Sequence, residues 1–260
     1  MRIWWQSATP IHKPDLAGYR ETLTSYLRSI KREDTEITVN GVDEGSLEFH
    51  FNVTTPLNAF GPGGVLNKFI QAEKEGYDAI ALGCFLDPAL QEARELTDIP
   101  IFGLGETSMH MACMLGSKFS GVAFCDKQAQ TYDAAVRRYG LESRAVPFAS
   151  LGMDHHRMIK GFSDPQEVMN IFRQSVKKLA ASGAEVVIPA DGSVNTMVAR
   201  EKIVTLEGVL ILNITALLLK VTEGMTDFYR LTGMSRSRKL LYEKPSSGNV
   251  AQILRTYNLK

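Results

Sequence analysis

Two residues with chemically useful side chains, Cys84 and Asp191, end two segments of the chain that follow the same pattern. The first segment is residues 76–84, GYDAIALGC, and the second is residues 183–191, GAEVVIPAD. Each begins with a glycine typical of a helix end, continues through an acidic residue and a buried strand, and closes on a small residue before a polar one. Cys84 and Asp191 are therefore predicted to be equivalent positions of two related halves.

A thiol and a carboxylate on opposite sides of a substrate can move protons. With ordinary pKa values of about 8.5 for cysteine and about 3.9 for aspartate, this pair at neutral pH is an acid facing a base. A two-base racemase needs such a pair, because it removes a proton from one face of a carbon and returns one to the other. The pair also suits a one-way isomerisation, a decarboxylation with protonation by Cys84, or a hydrolysis with Cys84 as nucleophile.

The elements that must position these residues alternate along the chain as short apolar runs and helical patterns, which is typical of βαβ units and a mainly parallel sheet. Strands are predicted at residues 2–5, 37–42, 79–82, 101–103, 121–124, 144–147, 186–189 and 209–212. Helices are predicted at residues 15–30, 63–75, 89–97, 108–116, 129–139, 165–182, 194–206 and 215–232. Ligands bind at the carboxyl ends of parallel strands, and Cys84 and Asp191 each follow such an end.

Composition narrows the class of protein. The chain has 260 residues, 44% of them hydrophobic, with 29 basic and 29 acidic side chains, so the zero net charge does not favour nucleic acid as a partner. No run is long and apolar enough for a membrane span, and the first residues lack the pattern of a signal peptide. The cysteines match no zinc pattern, so we expect free thiols in the cytoplasm, with no metal and no cofactor.

Residues 76–112 resemble the aspartate/glutamate/hydantoin racemase superfamily, and most closely its hydantoin and allantoin racemase branch. The resemblance is carried by residues 78–90 (DAIALGCFLDPAL), 93–95 (ARE), 99–100 (IP) and 105–106 (GE), and weaker similarity covers almost the whole chain. It implies an α/β fold of two Rossmann-like lobes with parallel sheets, related by a pseudo-twofold axis, with the active site in the cleft between them. The lobes would be residues 1–110 plus 217–260, and residues 111–216.

The resemblance also assigns roles to the two strand ends. In this branch the cysteine after the glycine is one of two catalytic bases, which implies that role for Cys84. At the second strand end, Ala190-Asp191-Gly192 stands where the racemases carry a Gly-Cys-Ala or Gly-Cys-Thr sequence. We therefore expect Asp191 to act in place of the second cysteine. A small-molecule substrate and a homo-oligomer are implied as well.

Substrate contacts are predicted in the loops and helix starts that follow the strand ends. In the opening strand, residues 6–9 (QSAT) replace the family's usual Asn-Pro-Asn-Thr. A polar loop in the first half and the residues after Asp191 could reach the same cleft. The predicted substrate-binding residues are Gln6, Ser7, Thr54, Phe85, Glu106, Cys125, Gly192, Ser193 and Asn195.

These observations favour a cofactor-independent racemase or isomerase of a small carbon acid, such as an amino acid, a hydantoin or a ureide. In this hypothesis Cys84 and Asp191 are the opposed acid and base. A Cys84-dependent hydrolase or decarboxylase/lyase on the same scaffold is the alternative. A catalytically silent small-molecule binding protein is the third hypothesis, and it alone expects Cys84→Ser to leave function unchanged.

Overall fold

The computed structural model describes residues 1–43 and 64–257, which form two β-sheets with helices packed around them. The strands are β1 (Arg2–Gln6), β2 (Glu36–Asn40), β3 (Ala79–Leu82), β4 (Ile101–Gly103), β5 (Phe119–Ala123), β6 (Ala149–Ser150), β7 (Val186–Pro189), β8 (Thr205–Leu206) and β9 (Val209–Ile211). The helices are α1 (Ala17–Ile30), α2 (Val65–Lys74), α3 (Leu90–Leu96), α4 (Leu104–Leu115), α5 (Asp126–Arg138), α6 (His155–Ser163), α7 (Gln166–Ala181), α8 (Gly192–Arg200), α9 (Ile214–Thr232) and α10 (Ser247–Thr256).

The two sheets share one strand order. The first sheet runs β2-β1-β3-β4 with all strands parallel, and the second runs β6-β5-β7-β9, also parallel, with β8 added antiparallel at the edge. β3 and β7 therefore hold the same place in their sheets: β3 lies between β1 and β4, and β7 lies between β5 and β9. The predicted α/β fold with parallel sheets is confirmed.

Side-chain alternation along β1 sends its two tryptophans to opposite faces of the first sheet. Trp4 packs in the cluster beneath α2 and α3. Trp5 packs in the largest cluster, which also contains Tyr19, Leu23 and Leu27 of α1 at helical spacing and residues of both sheets. This shared cluster joins the two halves, so it fixes how the ends of β3 and β7 face each other.

One predicted strand is wrong. Residues 144–147 pair with β5 only through a single bridge between Phe119 and Ala145, and a 3₁₀ turn occupies Glu142–Arg144. Regular pairing begins later, in β6. Phe148 packs over Gly121 of β5, where an added Cβ would lie within 2.8 Å of two atoms of the phenyl ring, so this aromatic side chain takes the space beside the strand.

Helix boundaries also differ from the prediction. The helix predicted over residues 194–206 ends at Arg200, because Lys202 takes a positive φ of 53° and the chain turns back as β8. The β8–β9 connection uses positive φ values at Glu207 and Gly208. α4 begins at Leu104 rather than at residue 108, and α6 and α10 are helices that the sequence patterns did not predict.

Within residues 1–43 and 64–257, no helix is both long enough and apolar enough to cross a bilayer. Over the same ranges, no group of three or more His, Cys, Asp and Glu side chains is placed to hold a metal ion. Cys84, Cys113 and Cys125 are all free thiols, and Cys84 is the buried one.

Asn195 connects α8 to the start of α9. Its side chain is 1% exposed, and its Oδ1 accepts the Ile214 N–H at 3.0 Å. Its Nδ2 donates to Thr215 Oγ1 at 2.8 Å and to Asn213 Oδ1 at 3.4 Å. These bonds hold α8, and with it the strand end that carries Asp191, in place.

We expect Asn195→Ala to lower the free energy of unfolding by about 2–4 kcal/mol, because the Ile214 N–H and the Thr215 hydroxyl lose a buried partner. The matched control is Asn249→Ala, at an exposed position of α10, which should change stability by less than about 0.5 kcal/mol. Urea unfolding followed by circular dichroism measures both. Equal effects of the two substitutions would contradict this role.

Candidate active site

The loops that follow β3 and β7 meet between the two sheets. The carbonyl oxygen of Gly83 lies 4.0 Å from the point that a Cβ on Gly192 would occupy. Cys84 and Asp191, which neighbour these glycines, line one cavity of about 30 Å³. The described residues around the cavity are Ser7, Ala8, Thr9, Tyr19, Gly83, Cys84, Phe85, Leu86, Gln128, Tyr132, Asp191, Gly192 and Ser193. The structure thus brings the thiol and the carboxylate together.

Asp191 is held by the start of α8. Its Oδ1 accepts the N–H groups of Ser193 at 2.8 Å and of Val194 at 3.4 Å, which makes it the N-cap of the helix. Burial raises the pKa of the Asp191 carboxyl, while these backbone hydrogen bonds and one from the Ser193 side chain oppose that rise. The cap therefore orients the carboxylate and favours its ionised form.

Cys84 carries a protonated thiol at neutral pH. The residue is 9% exposed, and burial raises the pKa of the thiol to about 12. This pKa includes a lowering by the backbone of Leu86 and smaller rises caused by the carboxylates of Asp87 and Asp191. An acid and a base therefore face the same small space.

Two tyrosines that the sequence patterns did not single out complete the walls. The Tyr19 hydroxyl lies 2.7 Å from the point that a Cβ on Gly192 would occupy, and it hydrogen-bonds Ser7. Burial raises the pKa of both Tyr19 and Tyr132, and the nearby Asp191 and Cys84 raise it further. Both hydroxyls therefore remain hydrogen-bond donors through the alkaline range.

Asp87 fixes the loop that follows Cys84. Its N–H donates to the Cys84 carbonyl at 3.1 Å. Its carboxylate accepts the N–H groups of Gly105 at 3.0 Å and Glu106 at 2.6 Å, and the hydroxyl of Tyr139 at 2.7 Å. Burial raises the pKa of Asp87 to about 6, against the lowering by these bonds. Because Tyr139 follows α5, this carboxylate ties the cysteine loop to the other half of the molecule.

Four of the predicted substrate-binding residues line the cavity: Ser7, Phe85, Gly192 and Ser193. Thr54 lies outside the described residues. Cys125 does not line it, because this residue precedes α5 and packs against the second sheet's own core. Asn195 does not line it either, since its amide is used at the start of α9.

Gln6 and Glu106 are also absent from the cavity lining. Gln6 is fully buried, with its Oε1 accepting from Trp4 Nε1 at 2.7 Å and its Nε2 donating to the Ser7 carbonyl at 2.7 Å. Glu106 lies in the first turn of α4 and pairs with Arg94 at 2.5 Å. It lines a separate cavity of about 360 Å³ beside the site. Both side chains are therefore engaged within the protein.

Asp191 gives the described part of the cavity wall a negative charge. Asp191 is the one acidic residue among the described residues that line the cavity. None of these residues is a lysine, an arginine or a histidine. A second negative charge placed beside Asp191 in this poorly hydrated space would be repelled. The described part of the cavity wall therefore favours a neutral ligand over an anion.

We expect Gly83→Ala to lower the free energy of unfolding by about 1–3 kcal/mol, because it overpacks the protein interior. The added Cβ would lie within 2.8 Å of three atoms of the Trp5 indole. Gly224→Ala is the matched control, since this exposed α9 position has open space around it and alanine favours a helix by about 1 kcal/mol. Thermal unfolding measures both, and a neutral Gly83→Ala would contradict the close packing.

Comparison with known proteins places the chain in a family. A family model described as Asp/Glu/Hydantoin racemase matches residues 45–217, which is more than half of the chain. The hydantoin racemase of Pseudomonas sp. (strain NS671) is 29% identical over 153 residues, which are 58% of this chain and 58% of that protein. The match therefore spans less than two thirds of the length of this relative.

Solved structures share the fold. Allantoin racemase from Klebsiella pneumoniae has a TM-score of 0.75 at 22% identity, covering 95% of this chain and 94% of that one. Allantoin racemase from Pseudomonas fluorescens has a TM-score of 0.73 at 21% identity, covering 95% and 97%. The predicted two-lobed fold is confirmed by this similarity. With the family model matched over residues 45–217, the chain belongs to the Asp/Glu/hydantoin racemase family.

Proposed function

We propose that this protein is a cofactor-independent racemase of small, neutral carbon acids of the cyclic ureide type, such as hydantoins, with Asp191 as base and Cys84 as acid. The observation that carries the proposal is that a protonated thiol and a carboxylate line one cavity. Membership of the racemase family and the similarity to a hydantoin racemase and to allantoin racemases support it.

The reaction follows from the protonation states. Asp191 removes the hydrogen of the asymmetric carbon as a proton, and the electron pair of that C–H bond passes to the adjacent carbonyl as an enolate. The Cys84 thiol then gives its proton to the opposite face, which forms the new C–H bond and leaves a thiolate. The proton on Asp191 finally returns to the thiolate. This return is favourable because burial raises the pKa of the Cys84 thiol to about 12.

A neutral ureide suits the cavity better than an amino acid. The carboxylate of an amino acid would enter a space that already holds Asp191 and lacks a cationic side chain among its described lining residues. A ring carbonyl acidifies the adjacent C–H and can take up the enolate charge. The hydroxyls of Ser7, Tyr19 and Tyr132 line the same cavity as donors for that oxygen.

The cavity must widen for a ring to enter. Its volume of about 30 Å³ accommodates one or two water molecules. Its walls come from both halves, with Ser7 and Leu86 on one side and Gln128 and Ser193 on the other. We therefore propose that the two lobes separate to admit substrate and close again for proton transfer, which excludes bulk water from the enolate.

Two further features of the sequence hypothesis are part of the proposal. A catalytic thiol must stay reduced, so the cytoplasm is the proposed compartment. A homo-oligomer is the proposed assembly, on the resemblance to the racemase superfamily.

We expect Cys84→Ser and Asp191→Asn each to lower the racemisation rate at least about 100-fold, since acid–base groups contribute about 10²–10⁴-fold. The substrates are single enantiomers of a 5-substituted hydantoin in deuterium oxide. Polarimetry follows the loss of rotation, and mass spectrometry follows the uptake of one deuterium at the asymmetric carbon. A full rate in Cys84→Ser would refute the mechanism.

The controls are matched in chemistry and role. Cys113→Ser removes a half-buried thiol that does not line the cavity. Asp154→Asn removes a carboxylate that caps α6 by accepting the Arg157 N–H at 2.9 Å, as Asp191 caps α8. Both variants should racemise the hydantoin at close to the wild-type rate. A product with a mass change other than deuterium exchange would identify a hydrolase or a lyase instead.

The pH dependence separates this mechanism from one with a Cys84 thiolate nucleophile. We expect kcat/KM to fall as the pH drops through the raised pKa of Asp191, because the base must be ionised. It should stay level as the pH rises until the ring N–H of the hydantoin itself ionises, because burial keeps the Cys84 thiol protonated beyond that pH. A thiolate-dependent hydrolase would gain rate over that same range. Initial rates with the enzyme-free rate subtracted, and circular dichroism at each pH, provide the measurement.

A further inference from the structure

We infer that Gln128 recognises the ring amide edge of the substrate, with its Oε1 accepting a hydrogen bond from a substrate N–H. This inference rests on the proposed racemisation of cyclic ureides and adds a specificity-determining residue to it. Gln128 lies in the first turn of α5, is 5% exposed, and lines the cavity shared by Cys84 and Asp191.

The Oε1 atom of Gln128 is buried and accepts no hydrogen bond from the residues that the structure describes. Leaving a carbonyl acceptor buried without a donor is unfavourable, and such groups in native proteins call for a specific explanation. A ligand that supplies the missing donor provides one. Because Gln128 is one of the residues that line the cavity, we infer that a ligand bound there is the source of the donor.

The other buried polar atoms without partners in the described ranges are Trp5 Nε1, Thr35 Oγ1 and Ser108 Oγ. None of these residues lines the cavity. Among the four, the unpartnered acceptor of Gln128 is therefore the one that belongs to the site. The neighbouring groups do not satisfy it, although the Tyr132 side chain lies one helical turn further along α5 and lines the same cavity.

The chemistry of the ligand follows from the shape of this wall. A side-chain amide presents a carbonyl oxygen and an NH₂ group on one edge, and a cyclic ureide presents an N–H and a carbonyl on one edge. The two edges can form a pair of hydrogen bonds. Tyr132 is held beside Gln128 by edge-to-face packing on Phe85, with ring centroids 4.8 Å apart. The wall therefore fits a flat, neutral ring with an N–H at its edge.

The test compares a 5-substituted hydantoin with its N1-methyl and N3-methyl derivatives in wild type, Gln128→Met and Gln130→Met. Methionine keeps the length of glutamine and removes the amide. Gln130 is the matched control, because it lies on the same helix and is exposed. For the wild type, methylation of one ring nitrogen should lower kcat/KM at least about 10-fold, since a buried acceptor is left unpaired. In Gln128→Met, methylation of the same ring nitrogen should lower kcat/KM by less than about threefold. In Gln130→Met, methylation should lower kcat/KM as much as it does in the wild type.

The melting temperature of the ligand-free protein is a second readout. It should fall in Gln128→Met if Gln128 has a structural role, and it should not fall if Gln128 serves substrate recognition. In the ligand-free protein the Gln128 acceptor is unsatisfied, so Gln128→Met should keep or raise the melting temperature while lowering kcat/KM for the unmethylated hydantoin. A lower melting temperature would assign Gln128 a structural role and overturn the inference.

The remaining outcomes are equally decisive. The inference is wrong if Gln128→Met keeps the wild-type discrimination, or if the wild type accepts both N-methyl hydantoins at the unmethylated rate. Equal rates with methylated and unmethylated hydantoins would also be expected if the Gln128 amide donated its NH₂ to a ligand carbonyl. In either outcome the wild type still racemises hydantoins, so the proposed function stands while the inference fails. If the wild type racemises no hydantoin, the proposed function and the inference fail together.

Discussion

The chemistry of the cavity depends on the desolvation of two unlike ionisable groups, Cys84 and Asp191, which both line it. Burial alone would keep both Cys84 and Asp191 neutral. The N–H groups at the start of α8 stabilise the carboxylate, whereas the thiol has carboxylates as neighbours. In the proposed mechanism, this difference assigns the acid and the base before any ligand binds. Two identical thiols would have to share their protons unequally to reach the same state.

Two glycines lie next to these groups in the chain. Gly83 lies against the Trp5 indole, and Gly192 lies against the Tyr19 hydroxyl, so a side chain at either position would force that aromatic residue to shift. The matching order of the two sheets places these glycines opposite each other, and the shared core around Trp5 holds the halves in register. Stability and site geometry are therefore set by the same contacts.

Much of the candidate site can be predicted from the sequence, because several of its residues directly follow the ends of strands. A buried strand followed by a small and then a polar residue has a distinct pattern, and this pattern predicts that Cys84, Asp191 and the residues beside them lie close together. Tyr19 and Gln128 were not singled out, because they enter the cavity from helices. There they occupy positions that helical periodicity assigns to the core, as Tyr19 does with Leu23 and Leu27.

Other predicted substrate-binding residues do not line the cavity, and their tertiary contacts explain where their side chains lie. The amide of Gln6 is hydrogen-bonded to the Trp4 indole and to the Ser7 carbonyl. No local sequence pattern distinguishes such an amide from one that is free to bind a ligand. The ion pair of Glu106 with Arg94 likewise becomes visible only once the fold is known. The predicted lobe boundaries, residues 1–110 with 217–260 and residues 111–216, stay a prediction. It is consistent with them that α9 packs against β3, β4 and α4.

The most direct measurement of the central claim is the ionisation of the Cys84 sulfur itself. Thiolate absorbs in the ultraviolet, so a pH titration of wild type minus Cys84→Ser isolates this one thiol from Cys113 and Cys125. The account predicts no Cys84 thiolate at neutral pH and a midpoint that approaches about 12. A midpoint at or below the ordinary cysteine pKa of about 8.5 would contradict it, because Cys84 would then be a thiolate base or nucleophile rather than the acid that faces Asp191.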